Sequence, residues 1–154
     1  MIVASRLVLV ASGFLIAVLW FDLMFDVQVW RHPGTDSLPE SVLESIARYY
    51  RRVTTDASPM GRLVGLSMLV LVGSIGAQAI AGGTPGWVSV VSGLGAVTGP
   101  GLAGARVFRN ARRLARRQDP LNTQSALART IARDHVVCLA AMVLTLVVQL
   151  VRPT

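Results

Sequence analysis

Asp22 and Asp26 stand one helical turn apart at the end of a long apolar run, and Asp134 and His135 stand together at the start of another. On a helix, residues four apart share a face, so the first two carboxylates are neighbours. Ionisable groups at the edge of an apolar run are costly to keep there, so they call for a chemical explanation. Three uses fit these types. Two carboxylates and an imidazole could hold a divalent metal, although Asp-x-x-x-Asp with distant histidines lacks the tight ligand spacing that would name one. A carboxylate desolvated beside another could exchange protons as a general acid or base. A polar pocket edged by tyrosine and arginine could bind an amphipathic molecule arriving from a lipid leaflet. On this reading Asp22, Asp26, Asp134 and His135 are the candidate catalytic residues, with His32, Arg48 and Tyr49 as candidate ligand-binding residues. No metal or cofactor is specified. The competing reading makes Asp22 and Asp26 structural counterions of Arg62, Arg106 or Arg133 at neighbouring helix ends.

The elements that would carry these residues are apolar helices. The 154 residues allow one domain, and 53% of them are hydrophobic, with a mean hydropathy of +0.57. Only 15% are charged, and the charges lie between long uncharged runs, a distribution that suits lipid better than water. Four runs have spanning length: 7–26, 63–81, 87–105 and 135–151. In lipid each backbone polar group must be paired within its own segment, and these runs do not alternate as barrel strands would, so helices are expected. Arg6 followed by Leu7 to Leu19 imitates a signal peptide. The sequence Trp20-Phe21-Asp22-Leu23 offers no small-residue cleavage site, however, so the segment is expected to remain as a span.

Every one of the fifteen basic residues is arginine. Arg31, Arg48, Arg51, Arg52 and Arg62 belong to the first connection, and Arg106, Arg109, Arg112, Arg113, Arg116, Arg117, Arg129 and Arg133 to the third. The opposite side receives Arg6 and Arg152. The positive-inside rule therefore predicts that the first and third connections are cytoplasmic and both termini lie outside the cytoplasm, in a multi-pass protein of the cell membrane. The arginines would meet anionic lipid headgroups there. Nucleic acid is not an expected partner, since no basic face with base-stacking aromatics stands apart from the spans.

The first connection should contain its own helix. Ser37-Leu38-Pro39-Glu40 reads as a capping box, and Leu38, Val42, Ile46, Tyr49 and Val53 recur at helical spacing. This amphipathic helix is expected to lie in the membrane interface, or else to pack on the ends of the spans. Ser58-Pro59 reads as the start of the second span, and Gly82-Gly83-Thr84-Pro85-Gly86 as an outer turn. The third span should continue helically through Arg117, with Asp119 capping the segment that leads into the fourth. The predicted fold is an all-α, four-transmembrane-helix up-down bundle with a cytoplasmic amphipathic helix between spans one and two. Arginine-rich helical extensions are expected between spans three and four.

Gly95 with Gly99, and Gly61 with Gly65, are small-xxx-small pairs that let helix backbones approach, inside one bundle or across a homo-oligomer seam. Gly99-Pro100-Gly101 should kink or break its helix. Gln28, Gln78, Gln149, Ser67, Ser74, Ser89, Ser92 and Thr145 could line a polar path, although such residues usually bond neighbouring helices or their own backbone. Cys138, the single cysteine, reads as a small buried hydrophobe. The four-span layout resembles that of membrane-associated eicosanoid and glutathione enzymes. Their arginine-asparagine-glutamate pattern is absent from 31–62 and 106–133, so the resemblance carries over no functional residue. The function expected from these residues is binding of a lipophilic or amphipathic small molecule at a polar cytoplasmic-interface site, with possible chemistry on it. Ion- or proton-coupled transport and an accessory structural role are the alternatives.

Overall fold

The computed structural model describes residues 2–56, 58–82 and 84–151. Gly83 and Arg152, both expected on the outer side, and the side chain of Ser58 lie outside the described residues. The chain is all-helical, with no strand among the described residues. Helix α1 spans Ile2–Asp26 and runs into a 3₁₀ turn, Val27–Arg31; α2 spans Glu40–Arg51 and ends in a wide π turn, Arg52–Asp56. Helix α3 covers Ser58–Ala81 and α4 covers Gly86–Leu102. A second π turn, Ala103–Val107, joins α4 to α5, Phe108–Arg116, and α6 runs unbroken over Leu121–Val151.

Four stretches are long and apolar enough to cross a membrane: Ile2–Arg31, Pro59–Ala81, Gly86–Arg116 and Leu121–Val151. Each packs on its two neighbours, α1 on α3 and α6, and α4 on α3 and α6, which closes a four-helix ring. Side-chain bonds between opposite ends fix the up-down order, since Gln78 near the end of α3 meets Ser5 near the start of α1. Gln149 at the end of α6 likewise meets Ser92 at the start of α4. The inner core is Val8, Ala11, Leu15, Val64, Leu71, Ile75, Ala96 and Met142, while Leu69, Ile80, Leu94 and Val97 point outward. An apolar exterior around an apolar core is the pattern of a multi-pass membrane protein.

The glycine pair in α4 packs inside the bundle, and the pair in α3 does not. A Cβ on Gly95 would collide with Thr145 Oγ1, and one on Gly99 would lie 2.7 Å from Met142 Cε, so α4 and α6 approach closely along this seam. Gly61 and Gly65 have open space where a Cβ would stand. Pro100 does not break its helix. The Ala103 N–H that follows bonds the carbonyls of both Gly99 and Pro100, and a π turn, Ala103–Val107, comes next.

Helix α2 differs from the expectation at its start. Its N-cap is Pro39, with no side-chain cap bond, so the capping box does not form; the Leu38 N–H instead donates to Ser125 Oγ at 2.9 Å, and Glu40 pairs with Arg117. Of the two placements expected for the apolar face, the structure has the packed one. Leu43, Ile46, Ala47 and Tyr50 are buried with Val107, Ala111 and Leu114 of the α4–α5 region and with Ala128, Ile131 and Ala132 of α6. The fully buried positions 38, 43, 46, 47 and 50 include the expected Leu38 and Ile46, while the expected Val42, Tyr49 and Val53 are half-buried against them. Asp119 is likewise not a cap. It accepts two hydrogen bonds from Arg113, at 2.9 and 2.7 Å, which hold its carboxyl below the usual carboxylate range.

Candidate functional site

The packing of α2 against the bundle brings two consecutive tyrosines to the acidic end of α1. Tyr50 is carried on the buried stripe of α2, and its hydroxyl donates to Asp26 Oδ1 at 2.6 Å. The other oxygen, Asp26 Oδ2, lies 2.7 Å from His135 Nδ1, contributed by α6. Asp26 is wholly buried, so these two partners replace the water it gave up. Tyr49, one residue round the helix and less buried, donates to Asp22 Oδ1 at 2.7 Å. Asp22 Oδ2 is 3.7 Å from His135 Nε2, so the imidazole sits between the two carboxylates, each facing one ring nitrogen. Phe25 stacks on Tyr49 with ring centroids 4.1 Å apart, and Tyr49 meets Tyr50 edge-on at 5.4 Å. Burial first, and then the aspartate charges, push both phenols well above their ordinary range, so they stay protonated donors.

This network forms one wall of a cavity of about 300 Å³ enclosed by α1, α2, α3, the α4–α5 region and α6. The polar wall is Asp22, Tyr49, Tyr50 and His135. The rest is mostly apolar, with Leu15, Leu19, Val64, Met68, Val107 and Met142 among its residues. Phe21, Met60 and Gly61 line it and are exposed, which marks a mouth between α1 and the first turn of α3. An enclosed apolar volume with a few convergent polar groups at one end is the usual form of a small-molecule site.

Of the seven candidate residues, the structure brings four together: Asp22, Asp26, His135 and Tyr49. Asp134 turns to the other side of α6, where its Oδ1 accepts from Arg106 at 2.9 Å; the π turn after α4 carries that arginine. Arg48 points outward and pairs with Glu44 at 2.6 Å, with 76% of its side chain exposed. His32 lies on the connection after α1, where its carbonyl, with Thr35, faces Arg129. The counterion reading of Asp22 and Asp26 is not met, since both face tyrosine and histidine; of the arginines expected to pair with them, Arg106 pairs with Asp134 instead. Among the described residues no group of three His, Cys, Asp or Glu side chains is disposed to hold a metal ion.

Comparison of the chain with family models, with curated proteins and with solved structures found no match. The site is therefore read from its own geometry. Tyr50 is not among the seven candidates. Its signal was the stripe through 43, 46, 47 and 50, because a tyrosine on a buried face needs a partner for its hydroxyl.

A second polar group sits at the far end of the bundle. Gln149 donates to Gln78 Oε1 at 3.1 Å and to Ser92 Oγ at 3.0 Å, and Gln78 donates to Ser5 at 3.4 Å. Along the spanning helices the core residues Val8, Ala11, Leu15, Leu71, Ile75, Ala96 and Met142, with buried Ser12 and Ser74 among them, come between this group and the Asp–His–Tyr wall. Thr145, within that stretch, turns its hydroxyl back to the Ala141 carbonyl.

Proposed function

We propose that the protein is a small multi-pass membrane protein of the cell membrane that binds a lipophilic or amphipathic small molecule in this cavity. The observation that carries the reading is the cavity itself, an apolar volume whose one polar wall is the Asp22, Tyr49, Tyr50 and His135 network. The apolar body of a ligand would displace poorly satisfied volume in the bundle, and its polar end would reach Asp22, Tyr49 and Nε2 of His135. The exposed, apolar mouth at Phe21 and Met60 favours entry from the lipid rather than from water.

The arginine distribution supports an orientation in which the polar wall lies toward the cytoplasmic leaflet and both termini lie outside the cytoplasm. Exposed arginines on α5 and around the first π turn would then lie against anionic headgroups. His135 is the group best set for proton transfer on a bound molecule, because Asp26 orients its Nδ1 and leaves Nε2 toward Asp22 and the cavity. Coupled transport has less support, since the two polar groups are separated by the core layer described above.

Unbiased mass spectrometry of small molecules copurifying with the wild type and with Gly61→Leu tests the proposal. Gly61 lines the mouth and has open space where a side chain would stand, so leucine should narrow the cavity without unfolding the bundle. A molecule enriched with the wild type and lost from the variant is the expected result. An identical complement in both would refute the proposal.

A further inference from the structure

A second recess lies just beyond the tyrosine wall. It is an open groove of about 680 Å³ between the end of α1 and α2, and its lining includes Phe25, Arg48, Tyr49, Arg51, Arg52 and Asp56. Three parts of the chain lead into it from the cavity. On α1, Leu15, Leu19, Phe21 and Asp22 line the cavity, and Phe25, one turn after Phe21, lines the groove. In the π turn Arg52–Asp56, Val53 and Thr54 line the cavity while Arg52 and Asp56 line the groove. Tyr49 lines both. Followed along α1, the surroundings thus change from apolar, to the hydroxyl and carboxyl groups of Tyr49 and Asp22, to arginine. Arg48 is taken by Glu44, whereas Arg51 and Arg52 are exposed and have no ion pair among the described residues. Asp56 is the other carboxylate of the groove, so two uncommitted guanidinium groups stand against one uncommitted carboxylate and the groove is net positive.

We propose that cavity and groove form one site for a single-chain phosphate amphiphile. Its chain lies against Leu15, Val64, Met68 and Met142, a hydroxyl next to the chain meets Asp22 and Tyr49, and its phosphate lies on Arg51 and Arg52. This rests on the reading that the cavity is a ligand site, and it names the class of ligand. A hydroxyl both donates and accepts, which suits a wall of carboxylate and phenol. A carboxylate has two oxygens and is filled by one guanidinium fork, whereas a phosphate monoester has three and can engage both arginines. The cavity, at about 300 Å³, is at the small end of ligand sites, so it takes one chain and leaves a second without a place.

The test uses the full chain in non-ionic amphipol, where no phospholipid competes. Saturable binding of tritiated lauroyl lysophosphatidate and of tritiated lauroyl glycerol, which lacks the phosphate, is measured on the wild type, with unlabelled laurate, glycerol 3-phosphate and dilauroyl phosphatidate as competitors. Lysophosphatidate should bind about tenfold or more tighter than lauroyl glycerol, the usual worth of a charge-assisted hydrogen bond. The three competitors should each be weaker than unlabelled lysophosphatidate. The double variant Arg51→Gln/Arg52→Gln should bring lysophosphatidate down to the level of lauroyl glycerol and leave lauroyl glycerol unchanged. Gly61→Leu should lose both. Equal binding of the two labelled probes overturns the phosphate while leaving a ligand-binding cavity, and equal competition by laurate overturns it in favour of any anion. Glycerol 3-phosphate competing as well as the lysophosphatidate overturns the joined site in favour of a free phosphate. Dilauroyl phosphatidate competing as well overturns the single chain in favour of a bilayer lipid. Undiminished binding in the folded arginine variant overturns the groove as the phosphate site, and no saturable binding by either labelled probe overturns the cavity reading with it. The comparison among probes is made on the wild type, so it stands even if a variant does not fold.

Discussion

Replacing Tyr50 by phenylalanine should destabilise the bundle while leaving its packing in place. The ring is buried at 2% exposure among Leu43, Ile46 and Leu114, and phenylalanine fills nearly the same space. What is lost is the hydrogen bond to Asp26 Oδ1 at 2.6 Å, one of the two contacts that stand in for water around a carboxylate at 0% exposure. A hydrogen bond to a charged group contributes about 1.5–3 kcal/mol, and an acceptor left unpaired in a desolvated place puts the cost toward the upper end. For a chain of this length that corresponds to a melting-temperature drop of about 3–12 °C. Reversible unfolding in mixed micelles, followed by helical circular dichroism, measures it. Tyr49→Phe is the control. Its partner, Asp22, lines the cavity and is partly exposed, so the loss should be smaller, about 0.5–1.5 kcal/mol. A Tyr50→Phe protein as stable as the wild type would refute the claim that Tyr50 and His135 together hold Asp26 in the bundle.

Three further outcomes are expected. Tyr49 and Tyr50 are the only tyrosines of the chain, and both phenols are raised by burial and by the neighbouring aspartates, so ultraviolet titration of the folded protein should show no tyrosinate near the ordinary value of about 10. Because these groups keep their protons longer when folded, the stability they contribute is complete below pH ~10 and declines as pH rises further. A tyrosinate step at the ordinary value would contradict the burial. Gly95→Ala should cost about 1–3 kcal/mol, because its Cβ meets Thr145 Oγ1 and the Ala141 carbonyl, whereas Gly65→Ala should cost nothing. Equal melting of these two variants would remove the α4–α6 seam. On a Cys138→Ser background, Arg51→Cys and Arg113→Cys should resist an impermeant thiol reagent applied to intact cells while Thr84→Cys reacts; the reverse pattern would invert the topology.

The fold was legible because its signals are long and redundant. Four long apolar runs, each flanked by arginine or by Gly-Thr-Pro-Gly punctuation, leave little alternative to four apolar helices. Local chemistry was less legible because tertiary partners outbid it. Ser37 and Glu40 have the spacing of a capping box, but Ser125 takes the Leu38 amide and Arg117 takes Glu40. Asp119 has the position of a cap, but Arg113 is within reach of both its oxygens. At the site, spacing placed Asp22 and Asp26 on one face, and the similar depth of His135 and Tyr49 followed from the order of the helices. Depth alone did not reveal rotation about the helix axes. A turn of one residue separates His135, which faces Asp26, from Asp134, which faces Arg106, and likewise separates buried Tyr50 from exposed-side Arg51. The cavity had no sequence signal of its own, because it depends on how far α1, α3 and α6 stand apart.

The most direct test of ligand binding at the tyrosine wall uses the same two tyrosines. With ring-labelled ¹³C-tyrosine, the carbon spectrum of the protein in nanodiscs holds one set of signals from Tyr49 and one from Tyr50, assigned by the two phenylalanine variants. Titration with octylamine and octanol should shift the Tyr49 signal saturably and the Tyr50 signal less, because Tyr49 carries the hydroxyl bonded to Asp22 on the cavity wall. The shifts should vanish in Gly61→Leu. Tyrosine signals that stay fixed with every probe, or that move identically when the mouth is filled, would contradict the account.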